Sequence, residues 1–113
     1  MLTLMTPLIQ ELHRLHDALM KKSEEFDDVI KMGRTQLQDA VPMRLGQTFH
    51  GYASMIERDL LRLTDVSREM YTVNLGGTAI GSCINTSPAY LHNIVPCLSS
   101  ITGYPLLQAK DLF

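Results

Sequence analysis

Between two long helical stretches the chain reads Gly33-Arg34-Thr35-Gln36-Leu37-Gln38-Asp39-Ala40-Val41-Pro42-Met43. Arg34, Thr35, Gln36 and Gln38 offer a guanidinium, a hydroxyl and two carboxamides in close succession, and Asp39 can offset the charge of Arg34. Uncharged donors of this kind suit a site that must hold a carboxylate, and hold it harder as negative charge develops in a transition state. The same side chains could instead satisfy loop backbone and helix ends, and composition alone leaves both roles open.

A second polar segment, Asn74 to Pro88, carries Gly76-Gly77-Thr78, whose backbone could approach a ligand closely. It has neither the GxGxxG nor the Walker pattern, and glycine-rich stretches are more often turns than phosphate cradles. His13 and His16 fall one helical turn apart and could share a metal ion, but no third ligand accompanies them, so they read as surface histidines and no metal is expected. His50 and His92 are isolated. Cys83 and Cys97 belong to no CxxC or Cys/His pattern and point to a reduced, cytosolic setting.

Composition narrows the function class. The 113 residues are 45% hydrophobic and 19% charged with a net charge of -2, an ordinary globular balance. Lys and Arg form no cluster, which argues against a nucleic-acid partner. No apolar run approaches the roughly 20 residues of a membrane span, and no secretory pattern opens the chain. A cytoplasmic protein of one domain, with no membrane partner and no cofactor motif, is the expectation.

The polar segments need elements to position them. Leu8, Leu12, Leu15, Leu19, Phe26 and Ile30 recur at three- and four-residue spacing and predict a helix from Thr6 as N-cap, with Pro7 at its first position and Gly33 just past its end. Leu45, Phe49, Tyr52, Ile56, Leu60, Leu63, Val66, Met70 and Val73 predict a second helix with bundle-like packing. Gly46 and Gly51, near its start, hint at a close approach or a nearby site. Ser87 and Pro88 open a third helix that Gly103-Tyr104-Pro105 closes, with Pro96 expected to kink or divide it. No alternating strand pattern is seen. The class is all-α, with about three long helices of a bundle joined by two polar loops.

Helices of this length raise a question of size. A rod of about 28 residues rises about 42 Å, long against the radius of gyration of about 13 Å for a compact hundred-residue domain. Three such elements bury little surface among themselves, so partner helices from elsewhere are implied.

Lys31 to Gln47, KMGRTQLQDAVPMRLGQ, followed by Asn74 to Asn85, NLGGTAIGSCIN, resembles the aspartase/fumarase superfamily. The likeness extends over nearly the whole chain, including Thr102 to Pro105 and Asp111-Leu112. It implies a lyase that eliminates ammonia from L-aspartate to give fumarate through an enediolate-like species, in a homotetramer built on long helices, with each active site drawn from three subunits. Thr35 matches the family's carboxylate-binding threonine. Gln36 stands where fumarases of class II, and some aspartases, carry a histidine, which favours the aspartase branch and gives Gln36 both a binding and a catalytic place. Arg34, Gln38, Gly77 and Thr78 are possible supporting residues. The family's catalytic serine loop has no counterpart here, so the chain is expected to be an internal part of the central helical domain, inactive alone. A fumarase part and a non-catalytic oligomerisation module are the alternatives.

Overall fold

In the computed structural model, which describes residues 1–113, the chain is built from three helices and four short strands. Helices α1 (Leu2–Glu25), α2 (Leu45–Glu69) and α3 (Pro88–Thr102) make it 57% helical and all-α in class. Strands β1 (Ile30–Thr35) and β2 (Gln38–Arg44) form one antiparallel pair, and β3 (Thr72–Val73) and β4 (Leu107–Gln108) a short parallel one. The chain divides into two units, residues 1–64 and 65–113, with the boundary inside α2.

In the first unit, α1 begins earlier and ends earlier than the apolar spacing predicts. Pro7 is inside the helix rather than at its start, where it removes one main-chain bond, and Met1 rather than Thr6 is the N-cap. The helix ends at Glu25 with Phe26 as its C-cap, and the chain just past it is met by the start of α2: Gly46 N–H donates to Phe26 O at 2.9 Å and Leu45 N–H to Val29 O at 2.7 Å. The Ser23 hydroxyl donates to Gly46 O at 2.9 Å, and the rings of Phe26 and Phe49 stack at 5.6 Å between centroids. Gly46 is required by this approach, since a Cβ there would collide with the Ser23 carbonyl oxygen and lie 3.0 Å from Asp27 Cα. Gly51, by contrast, has nothing within 4 Å of where its Cβ would be.

The segment between these helices is a β-hairpin, not a loop, and Gly33 is a strand residue, not a helix terminator. Gly33 is buried at an irregularity of the pairing, where a Cβ would lie 2.8 Å from Val41 O. The strands escape detection in sequence because most of their residues are exposed on both faces, which erases the apolar alternation of a half-buried sheet. The turn, Gln36-Leu37, also lacks the Asn-Gly signature, although both residues have the positive φ of a type I′ turn, 48° and 66°.

In the second unit, α3 starts and stops as its sequence dictates. The Ser87 side chain accepts from Tyr90 N–H at 3.2 Å, Pro88 takes the first position, and Gly103 closes the helix in the left-handed region at φ 73°. Pro96 does not divide α3, which runs unbroken through it. The second helix stops at Glu69, and Thr72–Val73, expected to continue it, pair with Leu107–Gln108 across the α3 crossover. Leu107 N–H donates to Tyr71 O and Ala109 N–H to Val73 O, at 2.8 and 2.9 Å.

Little of the apolar surface is covered. Ala53 and Leu60 are buried in the first unit and Val95 in the second, while Leu4 is 68% exposed, Leu61 65% and Ile101 82%. Helix α1 buries none of its residues. Along α1 the exposed apolar residues include Leu4, Leu8 and Leu15, and along α2 Tyr52, Leu61 and Val66, while Leu45, Phe49, Ile56 and Leu63 of the α2 stripe are half-buried.

Candidate functional site

The hairpin β1–β2 carries four of the six candidate residues. Thr35 ends β1, Gln36 and Leu37 make the turn, and Gln38 starts β2. Non-glycine residues at positive φ are costly, and two in succession mark the tip as a conformation held against local preference. Thr35, Gln36 and Gln38 are exposed, and Leu37 at the apex is 98% exposed. Arg34 is already engaged: its Nε donates to Asp39 Oδ1 at 2.9 Å across the strands. None of the side chains of Thr35, Gln36 and Gln38 makes a hydrogen bond within the chain. The tip is a set of uncharged donors presented outward, with its one cation neutralised.

The remaining two candidates, Gly77 and Thr78, are in the second unit. Gly77 is buried against the end of the chain, where a Cβ would lie 2.6 Å from Leu112 O, and its carbonyl accepts from Cys83 N–H at 3.3 Å. Its lack of a side chain is explained by this packing. Thr78 is exposed with φ 58°, and the same segment places Cys83 and Asn85 at positive φ, 59° and 66°. Cys83 and Cys97 are both free thiols. His13 is exposed, and His16 Nδ1 lies 3.1 Å from Asp17 Oδ1 on the same helix.

Sequence reasoning missed a hollow of about 430 Å³ in the first unit, lined by Ser23, Asp27, Arg44, Gln47, His50 and Gly51. Arg44 Nη1 donates to Asp27 Oδ2 at 2.9 Å, and Gln47 Oε1 accepts from Arg44 N–H at 2.9 Å. These bonds tie Arg44, the last residue of β2, both to Asp27 in the turn after α1 and to Gln47 in the first turn of α2, at the base of the hairpin. A signal was present: Ser23 and Asp27 are four apart, and Gln47, His50 and Gly51 share the non-apolar side of the α2 stripe. A second hollow, of about 400 Å³ and mostly apolar, is lined in the second unit by Leu91, His92, Val95, Pro96, Leu106, Leu107 and Gln108. No helix is long and apolar enough to cross a membrane.

Comparison with known proteins gives this geometry a context. The family described as lyase matches residues 1–113. The chain is 44% identical over 111 residues to an aspartate ammonia-lyase of Bacillus subtilis (strain 168), covering 98% of this chain and 23% of that protein. It is 52% identical over 106 residues to an aspartate ammonia-lyase of Pseudomonas canavaninivorans, covering 93% and 22%. Among solved structures, a fumarate lyase:delta crystallin from Brucella melitensis bound to cobalt superposes with a TM-score of 0.86 at 47% identity, covering 98% of this chain and 24% of that one. A recombinant class II fumarase from Schistosoma mansoni superposes with a TM-score of 0.79 at 29% identity, covering 93% and 25%. The chain thus spans about a quarter of the length of the relatives it matches.

Proposed function

Because the chain belongs to the lyase family, we propose that it is part of an aspartate ammonia-lyase, a carbon–nitrogen lyase that eliminates ammonia from L-aspartate to give fumarate. The observation that carries this reading is the hairpin tip: Thr35, Gln36 and Gln38 are exposed, uncharged and without hydrogen bonds inside the chain. Identity of 44% and 52% to proteins named aspartate ammonia-lyase supports the choice of reaction.

In the proposed reaction a base takes the proton from the carbon beside a carboxylate, and the carboxylate gains negative charge in an enediolate-like species before the amine departs. Donors fixed in place lower that barrier because they need not reorient as the charge grows. The Thr35 hydroxyl and the Gln36 carboxamide are the donors this chain contributes, on a turn stiffened by its two strands. The catalytic base comes from outside these 113 residues, so the segment alone is inactive. The active protein is a cytoplasmic homotetramer in which the exposed stripes of α1 and α2 meet other helices.

A fumarase is the second reading, favoured by the likeness to the Schistosoma mansoni enzyme. Gln36 weighs against it, because a carboxamide does not take up or release a proton as a histidine does. Fumarate formation from L-aspartate and from L-malate by the full-length protein, followed in the ultraviolet, separates the two. Turnover of malate without turnover of aspartate would reverse their order, and turnover of neither would leave a helical assembly module.

A further inference from the structure

The register of the hairpin sorts its polar side chains by face. Successive residues of a strand point to opposite faces, while residues directly opposite across an antiparallel pair share a face, with Cβ atoms about 4.5–5.5 Å apart. Thr35 is opposite Gln38, and Arg34 is opposite Asp39. One face at the hairpin end therefore carries a hydroxyl and a carboxamide, and the other carries the ion pair of Arg34 with Asp39. Arginine is the usual residue for a two-pronged grip on a carboxylate. Here it is turned away from Thr35 and occupied.

We propose, resting on the reading of Thr35 as a carboxylate contact, that Gln38 binds the same carboxylate of the substrate, and that Arg34 and Asp39 form a strut behind the pair rather than a ligand site. Three observations converge on this assignment. Thr35 and Gln38 form the cross-strand pair that flanks the turn, and a two-residue turn keeps them close. Both side chains are exposed and free of hydrogen bonds in the chain, whereas their neighbours Arg34 and Asp39 satisfy each other. A carboxylate has two oxygens, and the Thr35 hydroxyl and the Gln38 amide can each donate to one. Beside the turn the face they share holds no charge, the nearest on it being Lys31, four residues back along β1, so these donors set the orientation of a dicarboxylate while its charge is balanced from elsewhere in the active site. Retaining an Arg34–Asp39 pair behind that face stiffens it without placing a carboxylate beside the substrate.

The test compares Gln38→Ala, Gln38→Glu, Arg34→Gln and Asp39→Asn in the full-length protein, reading the Kd for succinate, a dicarboxylate that cannot react, by calorimetry alongside kcat/KM for L-aspartate. Gln38→Ala should weaken succinate about 10- to 100-fold, the scale of a lost hydrogen bond to a charged group, with the unfolding midpoint unchanged. Gln38→Glu should weaken it further, by like-charge repulsion. Arg34→Gln alone should weaken it more than Asp39→Asn alone, because it leaves the Asp39 carboxylate unpaired near a dicarboxylate, and their combination, which removes the strut without leaving either charge uncompensated, should weaken succinate less than Gln38→Ala. A succinate Kd unmoved in Gln38→Ala overturns the proposal, as does the combined Arg34→Gln and Asp39→Asn variant weakening binding more than Gln38→Ala. A wild-type protein that binds succinate in a Gln38-dependent way but does not turn over aspartate refutes only the reaction proposed above. One that binds no succinate refutes both.

Discussion

Gly46 and Gly51 share one helix, yet their substitution by alanine should move stability in opposite directions. Alanine inside a helix is worth about 1 kcal/mol over glycine, and at Gly51, where no atom lies within 4 Å of the new methyl, that gain should be realised. At Gly46 the methyl meets the backbone of Ser23 and Asp27, which cannot swing aside, and an overpacking loss of about 1–3 kcal/mol should outweigh the gain. Urea midpoints of the two variants of the full-length protein decide it; equal shifts would mean that α1 and α2 do not approach at Gly46. Thr35 invites a second substitution at this scale. Valine keeps its shape and removes the hydroxyl, so Thr35→Val should cost about 1–3 kcal/mol of transition-state stabilisation, read as a lower kcat/KM for aspartate. An unchanged value would take Thr35 out of the site.

At the level of elements, α3 shows local chemistry acting with both signs. Ser87 caps its first turn, and Ser87→Ala should destabilise the second unit by about 1 kcal/mol. Pro96 withholds a main-chain donor in mid-helix, so Pro96→Ala should stabilise by as much as about 3 kcal/mol. Circular dichroism during urea unfolding would register both, and a Pro96→Ala variant no more stable than the parent would mean that packing around Val95 and Leu106 depends on the ring. The boundaries of α3 were legible because every signal for them is local: Ser-Pro at one end, Gly-Tyr-Pro at the other. Those of α1 were not. Its end is decided by Gly46 and Leu45, which donate to Phe26 and Val29 from a distant part of the sequence.

For the molecule as a whole, the large share of apolar side chains left in solvent is the dominant physical fact. Fully burying an exposed leucine is worth about 1.5–3 kcal/mol, and Leu4, Leu8, Leu15, Leu61 and Val66, already partly covered, each offer a fraction of that along α1 and α2. The 113-residue chain should therefore self-associate, with an average mass that rises with concentration in sedimentation velocity. Leu61→Glu should shift that equilibrium toward smaller species, since a charge at a covered position loses its hydration. A chain that stays monomeric at every accessible concentration would leave these stripes without the role their exposure suggests.

The helical class, the apolar stripes, the caps of α3 and the run of polar residues at Arg34 to Asp39 could all be read from residue type and short-range spacing. Strand pairing was needed to show that those polar residues flank a two-residue hairpin turn, which of them share a face, and which are already paired. That part was hidden for a physical reason. A hairpin exposed on both sides leaves no apolar alternation to read, its Gln36-Leu37 turn breaks the usual turn chemistry, and its register depends on pairings such as Ile30 with Arg44 that no local preference encodes.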